Sequence, residues 1–117
     1  MNKIYHLGNC GTCKKIIDTL DLKNKKIKFQ DIKEEPITPE QIDEMAKLAG
    51  GYEPLFSRIA MKYRSMGLNT MTLTEKDYRL YILEEYTFLK RPTIIIGKQI
   101  FIGSSKNTVA AAKEAVK

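Results

Sequence analysis

The hydrophobic period changes twice within the first 32 residues, and this double change constrains the fold more than any other feature of the chain. Ile4, Tyr5, His6 and Leu7 make a short β-prone run that Gly8-Asn9 breaks. Cys13, Ile16, Ile17 and Leu20 then fall at i, i+3, i+4 and i+7, on one helical face, while Lys14, Lys15 and Asp18 lie off it. Ile27, Phe29 and Asp31 alternate with Lys28 and Gln30, which predicts a second strand with one wetter face. A strand, helix, strand unit is complete by about residue 32.

The middle of the chain reads as helical. Thr38-Pro39-Glu40-Gln41 supplies an N-cap, a proline at the first helical position and a capping-box glutamine. Ile42, Met45, Ala46 and Ala49 continue that helix until Gly50-Gly51 stops it. Pro54 opens a second predicted helix that carries Leu55, Phe56, Ile59, Ala60 and Tyr63 and ends near Gly67. A third follows the cap pair Thr74 and Asp77, with Tyr78, Tyr81 and Ile82 on one face.

Arg91-Pro92 ends this stretch, because a residue before proline is pushed out of the helical region. Thr93 to Ile96 is a β-branched run that predicts a strand covered on both faces. Gly97-Lys98 suits a two-residue hairpin turn, Ile100 to Ile102 return as the partner strand, and Ser104 or Ser105 caps a last helix through Val109, Ala112 and Val116. The predicted order is β, α, β, three helices, β, β, α. A chain of 117 residues fits one domain, 1–117, with a helical insertion over about 38–88.

Composition narrows the function classes. Hydrophobic residues at 43% and charged residues at 29% exclude a disordered or fibrous chain. The longest apolar run falls far short of the roughly 20 residues of a membrane span, and no signal peptide precedes the first strand, so no membrane partner and a cytoplasmic location are expected. The net charge of +6 favours anionic partners. Most of the excess is lysine scattered over polar faces, which a solvated surface explains without direct nucleic-acid binding.

Cys10-Gly11-Thr12-Cys13, placed after a strand and at a helix mouth, carries the strongest chemical signal. Unpaired amides and the helix dipole at a helix N-terminus stabilise a thiolate, the reactive form of cysteine. Cys10 at the cap gains most. Cys13, one turn in on the apolar face, is less ionised but near enough to form a disulfide, the asymmetry that an attacking and a resolving thiol need. The bland alternative for Cys13 is a small buried hydrophobe. A zinc site would draw on Cys10, Cys13 and His6, three ligands where a structural site takes four, so no metal is expected. Among twenty basic residues only Arg58, Arg64, Arg79 and Arg91 carry the forked guanidinium that binds oxyanions bidentately. Arg91, before Pro92 and an apolar strand, reads equally as an oxyanion ligand or a surface cation. Arg58, in mid-helix, reads as a solvated helix residue.

Taken together, the chain resembles the glutaredoxin-coupled arsenate reductases of the ArsC type and their YffB-like and Spx relatives. The resemblance covers nearly the whole chain. It is carried by Ile4-Tyr5-His6 before Cys10, Glu35-Pro36 before a capped helix, Leu55-Phe56-Ser57-Arg58, Tyr63 through Leu68, and Leu89-Lys90-Arg91-Pro92-Thr93-Ile94-Ile95-Ile96. It implies an α/β, thioredoxin-like fold, a four-stranded mixed sheet with the helical insertion between strands 2 and 3. It also implies that Cys10 is the nucleophile, that Arg58 and Arg91 bind an oxyanion, and that Pro92 is a cis-proline. Gly103 and Lys14 stand where the reductases carry arginines, and Cys13 stands where they typically carry serine.

The resemblance implies two functions of different class. The first is a thiol-dependent oxidoreductase acting on a small oxyanion or thiol substrate, with no bound cofactor and with glutathione, glutaredoxin or thioredoxin as reductant. The second is an Spx-like regulator that uses the Cys10–Cys13 disulfide as a switch and binds the RNA polymerase α subunit. For that role the helical insertion, with Tyr52 and Tyr86 expected to be exposed, would matter more than the oxyanion site.

Overall fold

The structure is a computed structural model, which describes residues 2–117. The chain forms two compact units: the segments up to Glu35 and from Arg91 onward make one, and Pro36–Lys90 makes the other.

The first unit is a four-stranded mixed sheet in the order β2-β1-β3-β4, with β1 at Asn2–His6, β2 at Lys28–Asp31, β3 at Thr93–Ile96 and β4 at Gln99–Ile102. β1 runs parallel to β2 and antiparallel to β3, and β3 and β4 form the hairpin expected around Gly97-Lys98. Helix α1, Gly11–Thr19, is the crossover between the parallel strands, and α5, Lys106–Ala115, follows β4 with Ser105 as its N-cap. Ile4 and Ile94 from the central strands meet Ile16, Ile17 and Leu20 from the α1 stretch and Ala112 of α5 in one buried cluster. Burying each such large aliphatic side chain contributes roughly 1.5–3 kcal/mol. The same stripe that predicted α1 therefore fixes the end of the sheet at which its N-terminus opens.

β2 differs from its predicted pattern. Gln30 is buried to 1% exposure while Phe29 is 39% exposed, its ring edge-on to His6. Alternation assumes that a buried amide goes unsatisfied, but Gln30 Nε2 donates to the Glu35 carbonyl at 3.0 Å, which removes that penalty on this edge strand.

The second unit holds α2 at Pro39–Ala49, α3 at Met61–Ser65 and α4 at Glu75–Glu84. Thr38 and Thr74 each build the expected capping box, with Gln41 and Asp77 respectively. Gly50 closes α2 at φ 84°, a left-handed conformation that favours glycine. The helix predicted from Pro54 to Gly67 does not form as one piece. Glu53–Leu55 is a single 3₁₀ turn, and Phe56 is extended in an antiparallel bridge with Leu89. Ser57 N–H donates to the Phe88 carbonyl at 2.7 Å, and Lys90 N–H donates to that of Leu55 at 2.9 Å. This pairing, between residues more than thirty positions apart, competes with local helix and wins. Phe56 is consequently fully buried and Ile59 is 93% exposed, although one helical stripe had grouped them. Tyr52 and Tyr86, expected to be exposed, are half-buried. The Tyr52 hydroxyl donates to Asp43 Oδ1 at 2.6 Å, and Asp43 also accepts from Arg79 at 2.8 Å. Among the described residues, no helix is long and apolar enough to cross a membrane.

Candidate active site at the mouth of the first helix

β1 delivers the chain to a tight loop, Leu7-Gly8-Asn9, and Cys10 is the N-cap of α1. Its N–H donates to the Leu7 carbonyl at 3.1 Å, and its carbonyl accepts the first helical bond, from Lys14 N–H at 3.1 Å. The first amides of α1 have no helical partner, and although the Cys10 side chain makes no capping hydrogen bond, their dipoles favour a negative sulfur at this position. Burial pushes the Cys10 pKa up. The Cys13 amide and thiol, the Thr12 amide and the Arg91 charge outweigh it, and the net shift is downward. Cys13 behaves in the opposite way. It is fully buried, and that burial, helped by Cys10, pushes its pKa up to about 11, against favourable contributions from the Leu7 backbone and Arg91. Both cysteines are free thiols. One fold position thus holds a sulfur poised to ionise and, one turn away, a sulfur kept protonated.

The loop before Cys10 is anchored from β2. Asp31 pairs in register with His6, the last residue of β1, so its carboxylate stands beside the loop. Asp31 Oδ2 accepts Gly8 N–H at 2.9 Å and Oδ1 accepts Lys33 N–H at 3.0 Å. Burial pushes the Asp31 pKa up, but the amides of Lys33, Gly8 and Glu34 and the charge of His6 bring it below the usual range. A Cβ on Gly8 would lie 2.6 Å from Asp31 Oδ2, so any larger residue here forces the carboxylate to shift. Gly8→Ala should displace the carboxylate and loosen the cap. The expected result is slower alkylation of Cys10 at neutral pH, because a loosened cap no longer holds the first amides of α1 toward the sulfur. Stopped-flow iodoacetamide kinetics against pH would read it, and an unchanged profile would remove Asp31 from the site. Sequence reading missed Asp31. Its signal was its place at the end of a strand parallel to β1.

Arg91 and Pro92 belong to the same unit as the cysteines. The Arg91–Pro92 peptide bond is cis, Pro92 is buried, and its carbonyl accepts Gly103 N–H at 2.9 Å, tying the entry of β3 to the exit of β4. The charge of Arg91 acts on both cysteines. Arg58 lies in the second unit, in a turn between the Phe56 bridge and α3 and not in mid-helix as predicted. Its Nη2 donates to Glu53 Oε2 and to the Tyr78 hydroxyl, each at 3.0 Å, and the guanidinium sits 5.6 Å from the Tyr78 ring centroid. Among the described residues, no group of three or more His, Cys, Asp or Glu side chains is arranged to hold a metal ion.

A mixed sheet in this order, a cysteine capping the helix after β1 and a cis-proline entering β3 define a thioredoxin-like thiol protein. The model of the ArsC family matches residues 5–112, and the chain belongs to the ArsC family. It is 26% identical over 102 residues to the uncharacterized protein YusI of Bacillus subtilis, covering 85% of this chain and 86% of that one. Among solved structures it is similar to a YFFB protein, with TM-score 0.82, 20% identity and full coverage of both chains. It is also similar to an arsenate reductase from Vibrio cholerae, with TM-score 0.79, 15% identity and coverage of 94% and 95%. At these identities the solved structures establish the thioredoxin-like fold.

Proposed function

We propose that the protein is a thiol-dependent oxidoreductase in which Cys10 attacks an oxidised substrate and Cys13 resolves the intermediate. The observation that carries this reading is the placement of two free thiols at one helix mouth, Cys10 as the cap and Cys13 fully buried one turn in, a placement that draws the first pKa down and pushes the second up to about 11. With a disulfide substrate, the Cys10 thiolate bonds to one sulfur and the other leaves as a thiolate. Cys13 then loses its proton and attacks Cys10 Sγ, forming the Cys10–Cys13 disulfide and releasing the second thiol. With arsenate, Cys10 displaces one oxygen as water to give a thioester of pentavalent arsenic. Attack by Cys13 on Cys10 Sγ breaks the sulfur–arsenic bond, and the electron pair stays on arsenic as arsenite. Either way a dithiol reductant, thioredoxin or glutaredoxin with glutathione, returns two electrons and two protons to the pair.

Arg91 serves the thiolate and the incoming anion with one charge. Arg58 is the second guanidinium offered to the oxyanion in this reading, a role that rests on the resemblance of Leu55-Phe56-Ser57-Arg58 to the reductase pattern. Its engagement with Glu53 and Tyr78 means that an anion must compete for it. With Gly103 in place of a third arginine, an oxidised thiol is favoured over a free oxyanion as substrate. A reducing cytoplasm, which keeps both thiols free between turnovers, is the compartment this cycle needs. A switch protein that docks RNA polymerase through the helical insertion has less support, since Tyr52 and Tyr86 are half-buried and the Tyr52 hydroxyl is committed to Asp43.

Removal of the resolving thiol tests the cycle. In Cys13→Ser the mixed disulfide between Cys10 and substrate should accumulate to near one equivalent when oxidised glutathione is added without reductant. Intact-mass spectrometry reads that adduct directly. Wild-type protein should instead end as the internal disulfide, two mass units lighter than the dithiol by the loss of two hydrogens. An internal disulfide that never forms in wild type would overturn the role of Cys13.

A further inference from the structure

Beside the cysteine turn, the first unit carries a groove of about 480 Å³ between α1 and α5. It begins at Thr12, between the two cysteines, and continues along Lys15 and Ile16 of α1 and Lys106, Val109 and Lys113 of α5. Its floor is apolar, because Ile16 and Val109 are part of the cluster that seats both helices on the sheet. Its rim is cationic. No carboxylate lines it, and none of its three lysines joins an ion pair among the described residues. The volume lies in the ordinary range for ligand sites, about 300–1,000 Å³.

The spacing of the charges selects the occupant. Lys106 and Lys113 are two turns apart, or about 10 Å along the helix, so two separate anionic groups meet them without drawing the two side chains together. An extended peptide puts residues i, i+2 and i+4 on one face, with i and i+4 about 13 Å apart, a span that flexible lysines reach. We propose that this groove docks an extended acidic segment of a protein partner, with carboxylates at i and i+4 held by the lysines and an apolar residue at i+2 resting on Ile16 and Val109. The partner being the protein that exchanges thiols with Cys10 rests on the redox function proposed above, because the groove begins at Thr12, two residues along the chain from that cysteine. Docking along it holds the partner while the disulfide is exchanged.

The test uses the full reduced chain and two fluorescein-labelled pentapeptides, Glu-Ser-Val-Ser-Glu and its counterpart with both glutamates replaced by glutamine, read by fluorescence anisotropy. The glutamate peptide should bind, and the glutamine peptide should bind about tenfold more weakly or less, since two charge-assisted contacts are lost. Lys106→Glu with Lys113→Glu should weaken the glutamate peptide by about tenfold or more, whereas Lys23→Glu with Lys98→Glu, an equal charge change outside the groove, should alter it less than about twofold. All four lysines are exposed, so folding is not at stake. Equal losses in both double variants, equal binding of the two peptides, binding of neither, or displacement by equimolar inorganic phosphate would each overturn the proposal. Alkylation of Cys10 is measured separately. An inert Cys10 with peptide binding intact would remove the redox function and leave the docking groove standing.

Discussion

Cys10→Ser should abolish turnover of any disulfide or oxyanion substrate and remove the fast-alkylating thiol altogether. At neutral pH the thiol that remains is Cys13. A pKa of about 11 against 9.0 for an unperturbed thiol leaves it roughly a hundredfold less ionised. Loss of the Cys10 sulfur relieves part of that shift, but burial, its largest cause, stays. Iodoacetamide should therefore label Cys10→Ser at least about tenfold more slowly than a free cysteine peptide, whereas it labels wild type faster than that peptide. The pH profile carries the sign. An acid whose pKa is lowered remains ionised further down in pH, so the wild-type rate should hold up below the pH at which an ordinary thiol protonates, and fall only as Cys10 itself takes up its proton. A wild-type profile that tracks the free peptide, or turnover that survives Cys10→Ser, would defeat the assignment of the nucleophile.

Phe56→Ala should produce the largest loss of stability of any single truncation in the second unit, about 3–5 kcal/mol, as expected for an emptied aromatic site in a packed core. Phe56 stacks on Phe88 with ring centroids 5.0 Å apart and planes 20° apart, and it also meets Tyr78 at 5.0 Å and Tyr63 at 5.9 Å. Its backbone bridge to Leu89 ties the segment between α2 and α3 to the end of the Pro36–Lys90 unit, so the cavity would open where those two stretches of chain pair. Ile59→Ala, three residues away and almost wholly exposed, should change stability by less than about 0.5 kcal/mol. Urea unfolding followed by circular dichroism separates the two. Similar losses at both positions would mean that Phe56 and Ile59 share a buried helical face, as the sequence pattern alone suggests.

That contrast shows where local reasoning reached its limit. The capped helices α2 and α4 were legible because a capping box states its own hydrogen bonds: Thr38 with Gln41 and Thr74 with Asp77 satisfy backbone donors within four residues. The stripe of Cys13, Ile16, Ile17 and Leu20 was legible for the same reason, since one period orients every side chain on it. Phe56 obeyed a partner far along the chain, and no window around Pro54 contains Leu89. Gln30 and Phe29 exchanged their expected environments because a carbonyl at Glu35 was available to the buried amide. Arg58 moved out of its predicted helix along with Phe56, and its contacts with Glu53 and Tyr78 follow from where that bridge set it.

At the candidate site the division is sharper. Sequence by itself determined that a cysteine caps the first helix, that a second thiol lies one turn inside on the buried face, and that an arginine and a proline open the third strand. These are consequences of spacing along the chain. Only the tertiary structure decided that Asp31 fastens the loop before Cys10, that Arg91 adds its charge to both sulfurs, and that α1 and α5 leave a lysine-rimmed groove between them. Each of these depends on strands and helices brought together by core burial. The energy that orients one side chain toward another across such a gap comes from packing, which no local pattern records.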